Sequence, residues 1–273
     1  MNKETGRQSP YNFWASEYDK ARMDGTSRLL YNNFTEVPAM LYAVGNIAGK
    51  RLLDVGCGTG IHAVEYVKRG ALVHGIDASK SMIDIAKKRC PDVAFNVASA
   101  YHLPFESRSF DQVTASLMVF HLDDLDRAFR EVNRVLVPNG GFFYSDLSPF
   151  SLAREKVFIN GVRINGFGHA RDMGRGSWGR GLLISYGKAF QEGREEIELL
   201  PGMRVEYHRR MTGSHVRALA RNGFTLVDVI DCNPKDGLKI HDPEAYEVMA
   251  RIPVYRVYAA EKRNTASGEK NHD

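Results

Sequence analysis

The stretch LLDVGCGTG, residues 52–60, is an apolar, strand-like run that breaks into three glycines at alternate positions, Gly56, Gly58 and Gly60. Without Cβ atoms, glycines permit positive φ and let the backbone approach a ligand closely, and the free N–H groups of a following helix favour a carboxylate or phosphate. A dinucleotide fingerprint reads G-x-G-x-x-G. Here the spacing is G-x-G-x-G, with Ile61 where the last glycine should stand, so a pyrophosphate is disfavoured. A tight turn with no ligand is the alternative.

Around this turn, strand-like and helix-like segments alternate. RLLDV, LVHGI, VAFNV, FDQVTAS and GGFFYSD read as strands, with helices over 61–69, 81–89 and 125–136. The last of these carries Leu125, Ala128, Phe129, Val132, Val135 and Leu136 on one stripe, as a crossover helix should. Two helices precede the first strand, one with Tyr11, Trp14 and Tyr18 on a shared face and one with Met40, Leu41, Val44 and Ile47. After residue 204, SHVRALARNGF suits a helix, and TLVDVID and VYRVYAA suit two final strands. The expected fold is α/β: a doubly wound, mostly parallel seven-stranded sheet with helices on both faces.

Regularity fails between Leu147 and Arg204. The expected organisation is therefore 1–146 as N-terminal helices and cofactor-binding core, 147–204 as an insertion lidding the carboxyl edge of the sheet, 205–262 as the rest of the core, and 263–273 as a disordered tail.

With 273 residues, 43% of them hydrophobic, the chain can bury a sizeable core. No apolar run approaches the roughly 18 residues that span a bilayer, and MNKETGRQSP has no signal-like apolar region behind it. The three cysteines form no C-x-x-C pair, so neither a disulfide framework nor a zinc site is indicated, and a reducing cytoplasm fits best. A net charge of +4 demands no nucleic-acid partner and no membrane surface. The charge is uneven: residues 150–217 hold twelve Lys/Arg against seven Asp/Glu, with arginines among glycines in RDMGRGSWGRG, so that segment can face an anion.

LVHGID ends in Asp77, about 20 residues beyond the glycines, where a ribose-binding carboxylate is required. Its alternative role is a helix-capping acid, which Ser79 can fill instead. At this point LLDVGCGTG, GIDAS, LPFESRSFD and REVNRVLVPNGGF, in that order, resemble the successive motifs of the class I S-adenosylmethionine-dependent methyltransferases that modify small metabolites. The resemblance spans roughly residues 37–146. It implies that Gly56, Cys57, Gly58 and Gly60 lie along the methionine part of S-adenosylmethionine, with Asp54 orienting the loop. It implies further that Asp77 holds the ribose and that Ala78 and Met82 pack on the adenine. Where the family usually has an acid and a small residue before LPF, this chain has Ser99 and Ala100. Ser99 can still hydrogen-bond the adenine amino group, and Tyr101 can stack on the base or merely pack. In SLMVFHL, Leu117 and His121 are the residues the resemblance sets beside the reactive methyl.

A sulfonium methyl is already activated, so transfer needs mainly alignment, and no metal is called for. A hydroxyl or amine acceptor can also need its proton removed, for which His121 is the placed candidate, with pocket lining as its alternative. Tyr18 is either core packing or part of a helix lidding the cofactor. Arg171, Arg175 and Arg180, with His169, are candidates for binding an anionic acceptor, or else form a solvated basic loop. The expected function is transfer of a methyl group to a small metabolite, anionic if these arginines face it. Methylation of RNA or protein is a second class, although no Asn-Pro-Pro-Tyr-like turn follows the fourth strand. A non-catalytic, cofactor-binding regulatory protein is a third.

Overall fold

A computed structural model of the chain describes residues 9–24, 27–148 and 192–264, Arg28 by its backbone alone, together with the backbone of four short strands between 157 and 185. The helices are α1 (Tyr11–Met23), α2 (Glu36–Ala43), α3 (Ile61–Lys68), α4 (Lys80–Arg89), α5 (Leu125–Val135), α6 (Thr212–Arg221), α7 (Asp236–His241) and α8 (Pro243–Arg251). The strands are β1 (Arg51–Val55), β2 (Leu72–Asp77), β3 (Ala94–Val97), β4 (Phe110–Ala115), β5 (Leu136–Leu147), β6 (Val157–Ile159), β7 (Val162–Ile164), β8 (His169–Gly176), β9 (Gly179–Ser185), β10 (Gly193–Leu200), β11 (Met203–Arg209), β12 (Phe224–Asp231) and β13 (Tyr255–Lys262).

Seven strands form one sheet in the order β12-β13-β5-β4-β1-β2-β3. Only β13 runs against the others, pairing antiparallel with both β5 and β12. Strands covered on both faces carry near-continuous apolar runs. In β1, Leu53 and Val55 face a cluster with Phe129 of α5, Leu219 of α6, Phe142, Tyr144 and Tyr258, while Leu52 faces Val37, Leu41 and Tyr66 on α2 and α3. Burying each such leucine contributes about 1.5–3 kcal/mol. The α5 stripe is buried as its periodicity predicts, and the Asp124 carboxylate caps that helix by accepting from the Arg127 amide at 2.9 Å.

Two parts differ from the sequence reading. The region read as irregular contains three antiparallel hairpins, β6–β7, β8–β9 and β10–β11. The last runs to Arg209, because Met203, Val205, Tyr207 and Arg209 are buried while Arg204 and Glu206 face outward. Between β12 and β13, α7 and α8 pack on a 3-10 turn at Arg28–Phe34. Asp242 caps α8 by accepting from the Ala245 amide at 2.9 Å, and Pro243 starts the helix.

Candidate active site

Strand order reverses between β1 and β4, so a crevice opens beyond their carboxyl ends. The three glycines there have φ of +70°, +53° and +81°. They serve different ends. A Cβ on Gly56 would stand 2.7 Å from Met118 Cγ, and one on Gly60 would stand 3.2 Å from the Ala86 Cβ of α4. A Cβ on Gly58 would meet nothing within 4 Å. Two glycines thus allow close packing, and Gly58 alone borders open space. The amides of Gly56 and Cys57 both donate to the Ile76 carbonyl, at 2.8 and 2.9 Å, folding the turn over β2. Burial pushes the Cys57 thiol well above its ordinary pKa.

Asp77 accepts from the Gly58 amide at 3.0 Å through one oxygen and from the Ser79 amide at 2.8 Å through the other. Ser79, not Asp77, caps α4, accepting from the Met82 amide at 3.2 Å. Each Asp77 oxygen therefore keeps a lone pair for a further donor. Burial raises its pKa, and the amides of Ser79, Gly58 and Ala78 act against that rise. Ala78 is exposed beside it, whereas Met82 is buried under the cap. The Ala98 amide donates to the Asp77 carbonyl at 3.0 Å, which draws the exposed Ser99 toward the crevice. Ser99 Oγ accepts from the Tyr101 amide at 3.2 Å, leaving its proton to donate. Ala100 packs on the core. Tyr101 hydrogen-bonds Asp123, and the Arg127 guanidinium covers one face of its ring 5.0 Å from the centroid.

Asp54 makes no hydrogen bond to the glycine turn. It faces Thr114 in register across β1 and β4 and accepts from that hydroxyl at 3.0 Å, while its other oxygen is buried with no hydrogen-bond partner. At 1% exposure, burial raises its pKa to about 6, against the pull of His62. A buried carboxylate oxygen without a hydrogen-bond partner suits a further donor.

Just past the end of β4, Leu117 adopts a left-handed backbone with φ +49°, and its amide donates to Ser145 Oγ at 2.8 Å. The Glu206 carbonyl, 2.8 Å from His121 Nδ1, can only accept, so Nδ1 carries the proton. Nε2 is then an acceptor, and it takes the Tyr11 hydroxyl at 3.0 Å. The Tyr11 ring stands edge-on to Tyr18 and to His121, both at 5.5 Å. Phe120, Tyr207, Leu147 and Ile197 close the surrounding patch. His121 is held below its ordinary pKa by burial, while the Glu206 carbonyl and Asp146 pull it up and His208 pushes it down.

α1 covers the crevice. Asn12 accepts from the Ser79 hydroxyl at 2.8 Å, and Arg89 of α4 binds Asp19 with two bonds of 2.7 and 2.9 Å while also reaching Thr59. Two cavities of about 420 and 450 Å³ lie elsewhere, between α5 and α6 and at the amino ends of the strands. His169, Arg171, Arg175 and Arg180 lie on the β8–β9 hairpin, and their side chains fall outside the described residues. Among the described residues, no group of three or more His, Cys, Asp or Glu is arranged to hold a metal ion, and no helix is long and apolar enough to cross a membrane. The sequence reading missed Tyr11 as a partner of His121, and it missed a buried cluster of Glu36, His62 and Ser145. The i, i+7 spacing of Tyr11 and Tyr18 was visible, but nothing local announces a contact 110 residues away.

Residues 53–144 match a family described as the methyltransferase domain. Over 107 residues the chain is 36% identical to the methyltransferase GfsG of Streptomyces halstedii, covering 37% of this chain and 38% of that protein. Over 106 residues it is 37% identical to the demethylmenaquinone methyltransferase of Renibacterium salmoninarum, covering 39% and 45%. These matches span less than half the length of either relative. An S-adenosylmethionine-dependent methyltransferase structure from Mesorhizobium loti superposes over 82% of this chain and 96% of its own, with a TM-score of 0.64 and 27% identity. The matched stretch holds the glycine turn, Asp77 and the strand tips on either side, and the chain accordingly carries a methyltransferase domain of the Rossmann-like, S-adenosylmethionine-dependent class I type.

Proposed function

We propose that this chain transfers a methyl group from S-adenosylmethionine to a small molecule bearing a flat, apolar ring and an ionisable O–H or N–H. The single observation that carries the cofactor half is the bond from the Gly58 amide to Asp77, which joins the open glycine to an acid with spare lone pairs at the neighbouring strand tip. Asp77 would accept from the ribose hydroxyls, Ser99 would donate to the adenine, and the unpaired Asp54 oxygen would face the amino group. When bound, the cofactor supplies a sulfonium methyl, which needs alignment more than activation. His121, with its tautomer fixed by the Glu206 carbonyl, would take the acceptor's proton at Nε2, directly or through the Tyr11 hydroxyl. The aromatic walls formed by Tyr11, Tyr18, Phe120 and Tyr207 support a ring-bearing acceptor, in keeping with the demethylmenaquinone methyltransferase among the relatives. His169, Arg171 and Arg175 remain candidates for an anionic part of it.

The test is calorimetry with S-adenosylhomocysteine. The wild-type chain should bind it, and Asp77→Ala should bind more weakly by about 1.5–3 kcal/mol, the worth of a charge-assisted hydrogen bond. Equal affinity in the variant would remove Asp77 from the site. Tight binding of S-adenosylhomocysteine with no methylated product from any extract would favour a regulatory binding protein.

A further inference from the structure

The most completely buried acid in the described structure lies between the two halves of the crevice. Glu36, in the first turn of α2, is 0% exposed. One of its oxygens is 2.9 Å from His62 Nε2, and the other accepts the Ser145 hydroxyl proton at 2.6 Å. His62 sits in the first turn of α3, two residues after Gly60, and Ser145 Oγ in turn accepts from the Leu117 amide. One carboxylate thus holds, through one bridging group on each side, the helix that follows the glycines and the left-handed turn beside the reacting methyl. The two sides also touch directly, since Met118 packs on Gly56 so closely that no Cβ would fit. Arg22 of α1 lies within electrostatic reach of the same carboxylate, as do Asp54 and Cys232.

Such an arrangement has a charge reason. An isolated buried carboxylate is expensive, and losing either partner of a buried pair leaves the other uncompensated. His62 holds Glu36 ionised, with Glu36 below and His62 above their ordinary pKa values. An ionised carboxylate is the stronger acceptor for Ser145, and it fixes the hydroxyl so that the Ser145 lone pairs point to the Leu117 amide. A positive φ in a leucine costs energy and persists only where its surroundings determine it.

We propose that Glu36 is a positioning residue of the methyl-transfer site, tying the Leu117–Met118 turn to the cofactor-binding helix through Ser145 and His62. This rests on the cofactor reading above. The prediction is that Glu36→Gln and Ser145→Ala each weaken S-adenosylhomocysteine binding by about tenfold, the equivalent of one hydrogen bond. The double variant should lose little more than the weaker-binding single, because both changes break one route.

The experiment is calorimetry on the four proteins, with ¹H–¹⁵N spectra of each. In the spectra, the Leu117 amide should move upfield in both single variants, while amides of α6 and β12 stay in place. If the wild-type chain fails to bind S-adenosylhomocysteine, the cofactor reading fails first and this inference falls with it. If it binds and both variants match it, or if the Leu117 amide does not move, Glu36 is a structural acid only and the proposal is overturned. Should Glu36→Gln not fold, Ser145→Ala decides the matter alone: a tenfold loss sustains the route, and unchanged affinity ends it.

Discussion

Gly58 and Gly60 look alike in the sequence and differ in what surrounds them. Both have positive φ, which costs an alanine about 1–2 kcal/mol. Only Gly60 also lies against the backbone and side chain of Ala86, where overpacking adds about 1–3 kcal/mol. Urea unfolding should therefore show Gly60→Ala as the more destabilised variant. Gly58→Ala should unfold between the wild type and Gly60→Ala, carrying the backbone cost alone, yet lose S-adenosylhomocysteine affinity in calorimetry, because its methyl group enters the open space beside the turn. His121 gives a second expectation. A base works when deprotonated, and burial holds this imidazole below its ordinary value of 6.5, so it is neutral through pH 7 and charges only on acidification. Methyl transfer to a protic acceptor should be flat above neutrality and fall only on acidification below the ordinary imidazole value. A ¹⁵N titration of the ring should show Nδ1 protonated throughout, and Tyr11→Phe should slow transfer without abolishing cofactor binding.

Among the elements, α1 is fastened at two points: Asn12 to Ser79, and Asp19 to the Arg89 side chain that also reaches Thr59. Arg89→Ala removes the second fastening and leaves Asp19 without its cation. Hydrogen exchange of the α1 amides should quicken by about tenfold or more while the sheet amides keep their protection, consistent with the roughly 1.5–3 kcal/mol of a charged hydrogen bond. The sheet and α3 to α6 were legible in the sequence because their signals are local: buried parallel strands read as apolar runs, and α5 shows an unbroken stripe. β10 and β11 were not read, although MRVEYHR alternates, because two-residue periodicity in a charged hairpin is weak against its surroundings. α7 and α8 offered only Asp242-Pro243 as a start signal, with Leu238 and Met249 their only buried residues. In the site, the glycines and Asp77 were legible from spacing. The role of Asp54 was not, since only the pairing of β1 with β4 sets it beside Thr114. Glu36, His62 and Ser145 come from α2, α3 and β5, and no short window holds all three.

At the scale of the whole molecule, the buried charges set a pH dependence of stability. Asp54 has its pKa raised from 3.8 to about 6, so it favours folding least when ionised, and stability falls as pH rises through that interval. His62 is raised above 6.5, so its contribution is full below 6.5 and fades above its folded pKa. Glu36 is lowered below 4.5, and its contribution fades only under more acidic conditions. By these three groups the ligand-free chain should be most stable near pH 4.5, losing stability first through Asp54 and then through His62, and less stable at pH 8. Thermal unfolding of Asp54→Asn should show a smaller drop between those two values than the wild type does; an equal drop would mean that Asp54 ionises freely.

The tip of the β10–β11 hairpin rests on α1 at one place, where a Cβ on Gly202 would stand 3.4 Å from the Trp14 indole. The chain has only two tryptophans, Trp14 and Trp178. With Trp178→Phe, all remaining indole emission comes from that contact. The molecule would then carry its own optical gauge: a red shift in stopped flow on mixing with S-adenosylhomocysteine would report any parting of the hairpin tip from the helix, and an unchanged spectrum would show that the contact holds.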